Sequence, residues 1–158
     1  RRAGVECLMV SADDQDTVTG ARGMEVTMDE KLSEIDDQCD LVVLPGGIPG
    51  VPNLKANSKV QAMVKAQNDR GGYVAAICAG PTALGAFGVL ADKNATCYPG
   101  CEDQLMAKHH STEPVVVDGN VITSRGVGTA IEFALKLVEI LIDRQTADDL
   151  AEKIVYKR

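Results

Sequence analysis

The sequence is poor in aromatic residues, with no tryptophan, two phenylalanines and three tyrosines. It also lacks an excess of positive charge, since 16 lysines and arginines face 23 aspartates and glutamates for a formal net charge of −7. A nucleic-acid surface needs basic patches and aromatic stacking platforms. The composition therefore argues against nucleic acid as a partner and favours small molecules or other proteins.

Long apolar runs are absent as well. No stretch approaches the ~20 residues of a membrane span, and the first residues lack the apolar centre of a signal peptide. We therefore expect a cytoplasmic protein with no membrane partner. The sequence also has no repeat, low-complexity tract or dividing linker, so its 158 residues, 45% of them hydrophobic, predict one domain with a sizeable core.

Cysteine is sparse. The five cysteines are an odd set without the dense spacing of a secreted disulfide scaffold, so we expect them to be reduced. Cys7 and Cys39 lie in or beside strand-like segments, and this position predicts packing roles for both.

Cys97 and Cys101 are followed by His109 and His110, and this collection could hold zinc. The intervening segment 98–100, Tyr-Pro-Gly, is ordinary turn chemistry, and the spacing fits no common zinc finger. A turn with packing cysteines is the better interpretation, so we predict no metal site.

One cysteine has a different context. The run Gly72-Tyr-Val-Ala-Ala-Ile-Cys-Ala-Gly-Pro-Thr-Ala-Leu84 reads as a buried strand, a cysteine and the start of a helix. Gly80 permits a sharp turn and Pro81 suits a first helical turn. Cys78 would then lie where unpaired N–H groups and the helix dipole favour a reactive thiolate. The alternative is a cysteine buried as a small hydrophobic residue.

A second strand end predicts the other half of a site. The apolar segment Leu41–Leu44 runs into Pro45-Gly46-Gly47, which lacks the ending of a P-loop and the spacing of a dinucleotide fingerprint. In an open parallel sheet, sites form beyond the carboxyl ends of the strands. Exposed amides around Gly47 and Ala79 would therefore cradle an oxyanion beside the sulfur of Cys78.

Strand-like and helix-like segments alternate along the chain, and this rhythm indicates an α/β sandwich. Asn57 or Ser58 caps one predicted helix. Valine-rich runs on both sides of Asp118-Gly-Asn120 predict a hairpin. A long, mostly buried helix is expected from Thr129 to about Ile142, and Thr146 is expected to cap a terminal helix.

These segments together resemble a known family. The sequence is similar to the ThiJ/PfpI superfamily, and within it to the branch of the parkinsonism-associated protein deglycase, over essentially its whole length. The motifs that carry the resemblance are Leu44-Pro-Gly-Gly47, Ala75-Ala-Ile-Cys-Ala-Gly-Pro-Thr-Ala83, Thr123-Ser-Arg-Gly-Val-Gly-Thr129 and Glu132-Phe-Ala-Leu-Lys136.

The resemblance implies a flavodoxin-like three-layer sandwich with a mostly parallel central sheet, similar to the class I glutamine amidotransferases. It implies a homodimer with an oxidisable nucleophilic cysteine. It also implies a cofactor-independent glyoxalase or protein deglycase acting on methylglyoxal and related α-oxoaldehydes or their protein adducts, or an oxidative-stress sensor or chaperone.

Matching motif to motif, the resemblance assigns the nucleophile to Cys78 and oxyanion or substrate binding to Gly46, Gly47 and Ala79. It implies that Arg22 approaches the cysteine pocket of the partner subunit.

Arg125 is expected in the loop beside that pocket. His109 or His110 matches a histidine that lies near the cysteine in many relatives, and the sequence leaves the choice between them open.

The sequence departs from the family pattern at several places. Val127 replaces a typical proline. Ala79 stands where protease-like members have histidine, and for this reason a cysteine peptidase or amidotransferase-like hydrolase is the weaker alternative.

Arg1-Arg-Ala-Gly4 resembles the last turn of the family's first helix. We therefore expect about one strand and most of one helix, roughly 25–30 residues, to be missing upstream together with a catalytic glutamate. Residues 1–158 alone are expected to be neither stable nor active.

Two hypotheses from different classes follow for Cys78. In the first, its thiolate adds to the aldehyde of an α-oxoaldehyde and the protein is an enzyme. In the second, Cys78 is oxidised to a sulfinate and the protein is a non-enzymatic redox sensor or chaperone. Both use the same pocket.

Overall fold

A computed structural model describes residues 1–36 and 38–157. The strands are β1 (Val10–Ser11), β2 (Thr17–Thr19), β3 (Glu25–Thr27), β4 (Glu30–Lys31), β5 (Leu41–Leu44), β6 (Tyr73–Ile77), β7 (Asn94–Ala95), β8 (His109–His110), β9 (Val115–Asp118) and β10 (Val121–Ser124). The α-helices are α1 (Gly50–Ala56), α2 (Ser58–Asp69), α3 (Pro81–Ala86), α4 (Ala130–Leu141) and α5 (Arg144–Lys153). Short 3₁₀ turns cover Glu102–Gln104 and Val127–Thr129.

The central sheet has four strands in the order β5-β6-β10-β9. The pairs β5-β6 and β6-β10 are parallel, and β9 runs antiparallel to β10. Three smaller pairs lie outside this sheet: β1 with β4 and β7 with β8 are parallel, and β2 with β3 is an antiparallel hairpin. The sheet is therefore mostly parallel, as the sequence predicts.

Strand β6 shows why both faces of this sheet are covered. Val74 and Ala76 are fully buried in a large core with residues of α1, α2 and α3. Ala75 between them points to the other face, where it packs with Ile122 of β10 and Phe133 of α4. Because successive side chains of a strand alternate between faces, an apolar strand such as β6 needs helices on both sides. The result is the predicted three-layer, flavodoxin-like α/β sandwich.

Several predicted elements are confirmed closely. Strands β5 and β6 occupy the predicted residues, and the valine-rich runs form the predicted β9-β10 hairpin. The side chain of Asn57 accepts hydrogen bonds from Lys59 N and Val60 N at 3.0 and 3.2 Å and caps α2.

Four local expectations were wrong or incomplete. Helix α4 was expected to be mostly buried, but Phe133 and Leu135 are its only buried residues and Ile131 is exposed. The cap of α5 is Asp143, whose carboxylate accepts a hydrogen bond from Thr146 N at 2.7 Å; Thr146 therefore lies inside the helix. Helix α1 was missed, because Gly50 and Pro52 read as loop residues. Cys7 is exposed and precedes the two-residue strand β1, so it has no packing role.

Candidate active site

Cys78 follows the last residue of β6 and has a left-handed backbone, with φ of +66°. A side chain in this conformation costs about 1–2 kcal/mol relative to glycine. Two hydrogen bonds fix it: Cys78 N donates to Ser124 O at 3.0 Å, and Tyr98 N donates to Cys78 O at 2.8 Å. The neighbouring strand and the 97–101 segment therefore hold the cysteine in a conformation that it would otherwise avoid.

Two glycines make room for this bend. A Cβ at Gly46 would lie 2.5 Å from Cys78 Cβ, 2.9 Å from Ile77 O and 3.1 Å from Cys78 Sγ. A Cβ at Gly80 would lie 2.7 Å from Leu44 O and 2.9 Å from Ile77 O. The backbone at the end of β5 thus packs directly against the elbow, which requires glycine at both positions.

The expected oxyanion donors have free amides. Across residues 1–36 and 38–157, no acceptor is bonded to the backbone N–H of Gly47 or Ala79. Gly47 has φ of +100°, and Ala79 directly follows Cys78 in the chain. Both amides therefore keep an unused donor, one in the residue after Gly46, which packs on Cys78, and one in the residue after Cys78 itself.

The segment 97–101 packs against the elbow and carries two more cysteines. Tyr98, Pro99 and Gly100 form the predicted turn, in which Cys101 N donates to Tyr98 O at 3.0 Å and Gly100 has φ of +91°. Upstream, Thr96 N donates to Thr123 Oγ1 of β10 at 3.0 Å. The turn is thereby connected both to the sheet and to Cys78.

The two cysteines of this turn have different environments. Cys97 is fully buried in the large core, and burial, with the Glu102 charge, raises its pKa to about 11. Cys101 is half-buried; burial and then the charge of Cys78 raise its pKa, and Lys55 opposes that rise. None of the five cysteines is paired in a disulfide in this structure.

Charged groups surround these sulfurs. The pKa of the Glu102 carboxyl is lowered by its own backbone N–H and by a hydrogen bond from Gly100 N at 2.8 Å, with smaller contributions from the charges of His110 and Arg125. Arg125 donates from Nη1 to Thr112 O at 3.3 Å. Its Nε is buried and is bonded to no acceptor among the described residues. The Nε–H group of Arg125, in the loop after β10, can therefore donate a hydrogen bond to a ligand.

The remaining predicted site residues lie on exposed surface. His109 and His110 form β8, where they pair with Asn94 and Ala95 of β7. Arg22 lies at the exposed tip of the β2-β3 hairpin. A site role for each of these three residues stays a prediction.

Sequence reasoning missed the contact that Tyr98 makes with Cys78. The Tyr-Pro-Gly pattern predicted the turn itself, but no local signal in the sequence indicates which strand end such a turn faces. Likewise, nothing in the sequence indicates that Gly46 packs closely on Cys78, although the family resemblance predicted Gly46 as a site residue. Both contacts join segments far apart in the chain.

Two further findings concern ligands and membranes. Within the part of the chain that the structure describes, no group of three or more His, Cys, Asp or Glu side chains is arranged to hold a metal ion. Among those same residues, every helix is too short or too polar to cross a bilayer.

The fold and the elbow together define an α/β sandwich with a cysteine between a strand and a helix. The DJ-1/PfpI family matches residues 1–140. A zebrafish (Danio rerio) protein described as Parkinson disease protein 7 homolog is 40% identical, covering 99% of this chain and 86% of its own. This chain therefore belongs to the DJ-1/PfpI family, which confirms the resemblance seen in the sequence.

Two other relatives add detail. The Caenorhabditis elegans protein described as glutathione-independent glyoxalase DJR-1.2 is 33% identical over 97% of this chain and 82% of its own. The solved structure of oxidised Toxoplasma gondii DJ-1 superimposes with a TM-score of 0.95 at 34% identity, covering 99% of this chain and 86% of that one. The family thus includes a glyoxalase.

Proposed function

We propose that this chain is a cysteine-dependent, cofactor-independent glyoxalase that converts methylglyoxal and related α-oxoaldehydes into 2-hydroxy acids. One observation carries the proposal: Cys78 is held at positive φ at a strand end, next to two amides without acceptors. A relative is described as a glyoxalase, and this description supports α-oxoaldehydes as the substrate class. Protein adducts of these aldehydes are a second substrate class for the same reaction centre.

The reaction begins with the sulfur. The thiolate of Cys78 adds to the aldehyde carbon of methylglyoxal and forms a hemithioacetal, so a C–S bond replaces the C=O π bond and negative charge moves to oxygen. The N–H groups of Gly47 and Ala79 donate to that oxygen. A proton then moves from the former aldehyde carbon to the neighbouring carbon. Water cleaves the resulting thioester, which releases lactate and restores the thiol.

The proton transfer between carbons needs a base. Glu102 is a carboxylate near Cys97 and Cys101, but its pKa is lowered by backbone N–H groups, chiefly its own, and Gly100 N binds its Oε2. A carboxylate with a lowered pKa is a weaker base. We therefore assign this step to none of the described residues.

Arginines are proposed to bind the substrate oxygens. Arg125 is suited to this role because its buried Nε has no acceptor among the described residues. We propose that Arg22 reaches the site of the partner subunit in a homodimer, which its exposed hairpin tip permits. His109 or His110 would serve as a proton relay, and His110 is the one whose charge acts on Glu102. We further propose that the protein acts in the cytoplasm.

A redox sensor or chaperone that works through oxidation of Cys78, with a role in oxidative stress, is the second candidate. Two observations favour it: three cysteines lie around the elbow, and the Toxoplasma relative is described as oxidised. In this case the free amides and Arg125 would stabilise a sulfinate instead of an alkoxide. A peptidase is disfavoured, since Ala79 occupies the position after the cysteine where protease-like members carry their histidine.

The deciding experiment uses the full-length protein and measures methylglyoxal loss and lactate formation in the absence of glutathione. We expect Cys78→Ser to lower the rate by at least about 100-fold, because the hydroxyl is a far weaker nucleophile at neutral pH. Cys7→Ser is the matched control, since Cys7 is exposed and distant in sequence. Equal rates for wild type and Cys78→Ser would refute the glyoxalase proposal.

A further inference from the structure

Cys101 is connected to the elbow through two consecutive backbone hydrogen bonds. Tyr98 N donates to Cys78 O at 2.8 Å, and Tyr98 O accepts from Cys101 N at 3.0 Å. The turn between Tyr98 and Cys101 therefore lies directly against the residue that carries the reactive sulfur. Cys78 and Cys101, although 23 positions apart in the sequence, belong to one local cluster.

The environment distinguishes Cys101 from Cys97. Cys97 has no exposed surface and packs inside the large core. Cys101 is half-buried at the edge of that core, so solvent reaches its side chain. After burial, the Cys78 charge is the strongest influence on the pKa of Cys101, whereas it is the weakest of those acting on Cys97. The Lys55 ammonium opposes this rise in the pKa of Cys101.

The turn has room to adjust. Tyr98, Pro99 and Gly100 are exposed, and a Cβ at Gly100 would meet no atom within 4 Å. A disulfide needs the two Cα atoms within about 7 Å and the Cβ atoms facing each other. The hydrogen bond from Tyr98 N to Cys78 O anchors one end of the turn beside Cys78, and the open space at Gly100 leaves the other end room to bring Cys101 toward it.

We propose that Cys101 is the resolving cysteine of Cys78 and that the pair forms a reversible disulfide under oxidation. A hydroperoxide first oxidises Cys78: its thiolate attacks one peroxide oxygen, the O–O bond breaks, and the sulfenic acid forms as an alcohol or water leaves. The Cys101 thiolate then attacks the Cys78 sulfur and the S–O bond breaks. Hydroxide leaves and takes up a proton.

Overall, two thiols and one hydroperoxide give one disulfide, one water and the alcohol or water derived from the peroxide. The disulfide blocks further oxidation of Cys78 to the sulfinic acid, and a dithiol reductant restores both thiols. The inference rests on the reactive Cys78 of the proposed function, but it does not require aldehyde turnover.

The test uses the purified protein, one equivalent of hydrogen peroxide, alkylation of the remaining thiols, and tryptic digestion without reductant. Cys78 then lies on peptide 71–93, and Cys97 and Cys101 share peptide 94–108. Fragmentation before Pro99 separates Cys97 from Cys101, so the spectrum identifies which of them is linked. We expect a Cys78–Cys101 link that disappears with dithiothreitol.

Variants show whether the link protects Cys78. Cys101→Ser and Cys101→Ala are expected to lose the link and to accumulate at least about threefold more Cys78 sulfinic acid at equal peroxide. Cys97→Ala is expected to behave like the wild type. Equal sulfinic acid in wild type and both Cys101 variants, or a link to Cys97 instead, would overturn the proposal.

Failure of this inference can be told from failure of the glyoxalase proposal. Reduced Cys101→Ser should turn over methylglyoxal at the wild-type rate, because Cys101 takes no part in that reaction. A protein that forms the link without any turnover refutes only the glyoxalase. A protein with turnover but no link refutes only the resolving role.

Discussion

The elbow around Cys78 and the turn from Cys97 to Cys101 together carry three of the five cysteines. The two segments differ in backbone strain and in packing. The elbow is strained and tightly packed: its cysteine has φ of +66°, and Gly46 lies against its side chain. The turn uses ordinary proline and glycine chemistry and is open to solvent at its tip. Its inner cysteine is buried in the core.

This difference shows that the backbone around a cysteine decides what the residue can do. At the elbow, Cys78 is held at positive φ and is followed by an amide that has no acceptor. In the turn, Cys97 behaves as a small hydrophobic residue, and its pKa of about 11 keeps it neutral near pH 7. Four experiments sharpen the contrast.

The largest effect is expected from Gly46→Ala. Its new Cβ would lie 2.5 Å from Cys78 Cβ and 2.9 Å from the backbone oxygen of Ile77. Relieving these contacts requires a shift of the backbone, which costs more free energy than the rotation of a side chain. We expect a loss of about 1–3 kcal/mol in the free energy of unfolding and at least about a 100-fold loss of methylglyoxal turnover. The control is Gly50→Ala, where the added Cβ meets no atom within 4 Å. Equal damage from both variants would contradict the close-packed elbow.

The strain at Cys78 can be measured directly by comparing Cys78→Gly with Cys78→Ala. Both variants lack the sulfur, but only glycine adopts φ of +66° without strain. We expect chemical denaturation to show Cys78→Gly more stable than Cys78→Ala by about 1 kcal/mol. At Cys97, which has no such strain, the same pair should show the opposite order. If alanine is the more stable residue at 78, the elbow is not strained.

Gly100→Ala tests the turn in the same way. Gly100 has φ of +91° but its Cβ position is open, so alanine introduces strain without a clash. We expect a stability loss of about 1 kcal/mol or less, with methylglyoxal turnover within about twofold of the wild type. Gly128→Ala, also without a close neighbour, is the control. A turnover loss as large as that of Gly46→Ala would mean that the turn takes part in catalysis.

The smallest effect concerns alkaline pH. Burial raises the pKa of Cys97 from 9.0 to about 11, so between these values the folded protein retains a proton that the unfolded chain releases. Stability from this group is therefore complete below pH 9 and is lost as the pH rises through about 11. Thermal unfolding at pH 8 and pH 9.5 should show a slightly larger decrease for the wild type than for Cys97→Ala. An identical decrease would show that Cys97 does not contribute.

Much of the fold follows from local patterns. The five apolar residues of β6 predict a strand buried on both faces, and the Asp118-Gly-Asn120 turn predicts the β9-β10 hairpin. Cys78 could be identified for the same reason: a strand, a cysteine, a glycine and a proline in succession specify an elbow without help from distant residues. The cap of α5 was assigned to Thr146 instead of Asp143 because both are good capping residues three positions apart.

The sequence by itself therefore determined the alternation of strands and helices, the family and the position of Cys78 at an elbow, because these depend on residues that are neighbours in the chain. Only the tertiary structure decided that Gly46 packs on Cys78 and that the turn at Tyr98 is hydrogen-bonded to it. Only the tertiary structure links Cys101 to Cys78, through the hydrogen bonds of Tyr98. The first contact depends on the order of strands in the sheet, which places the ends of β5 and β6 side by side, and the second depends on where the segment after β7 packs against that sheet. No local propensity encodes that order, since it is fixed by burying both faces of one sheet at the same time.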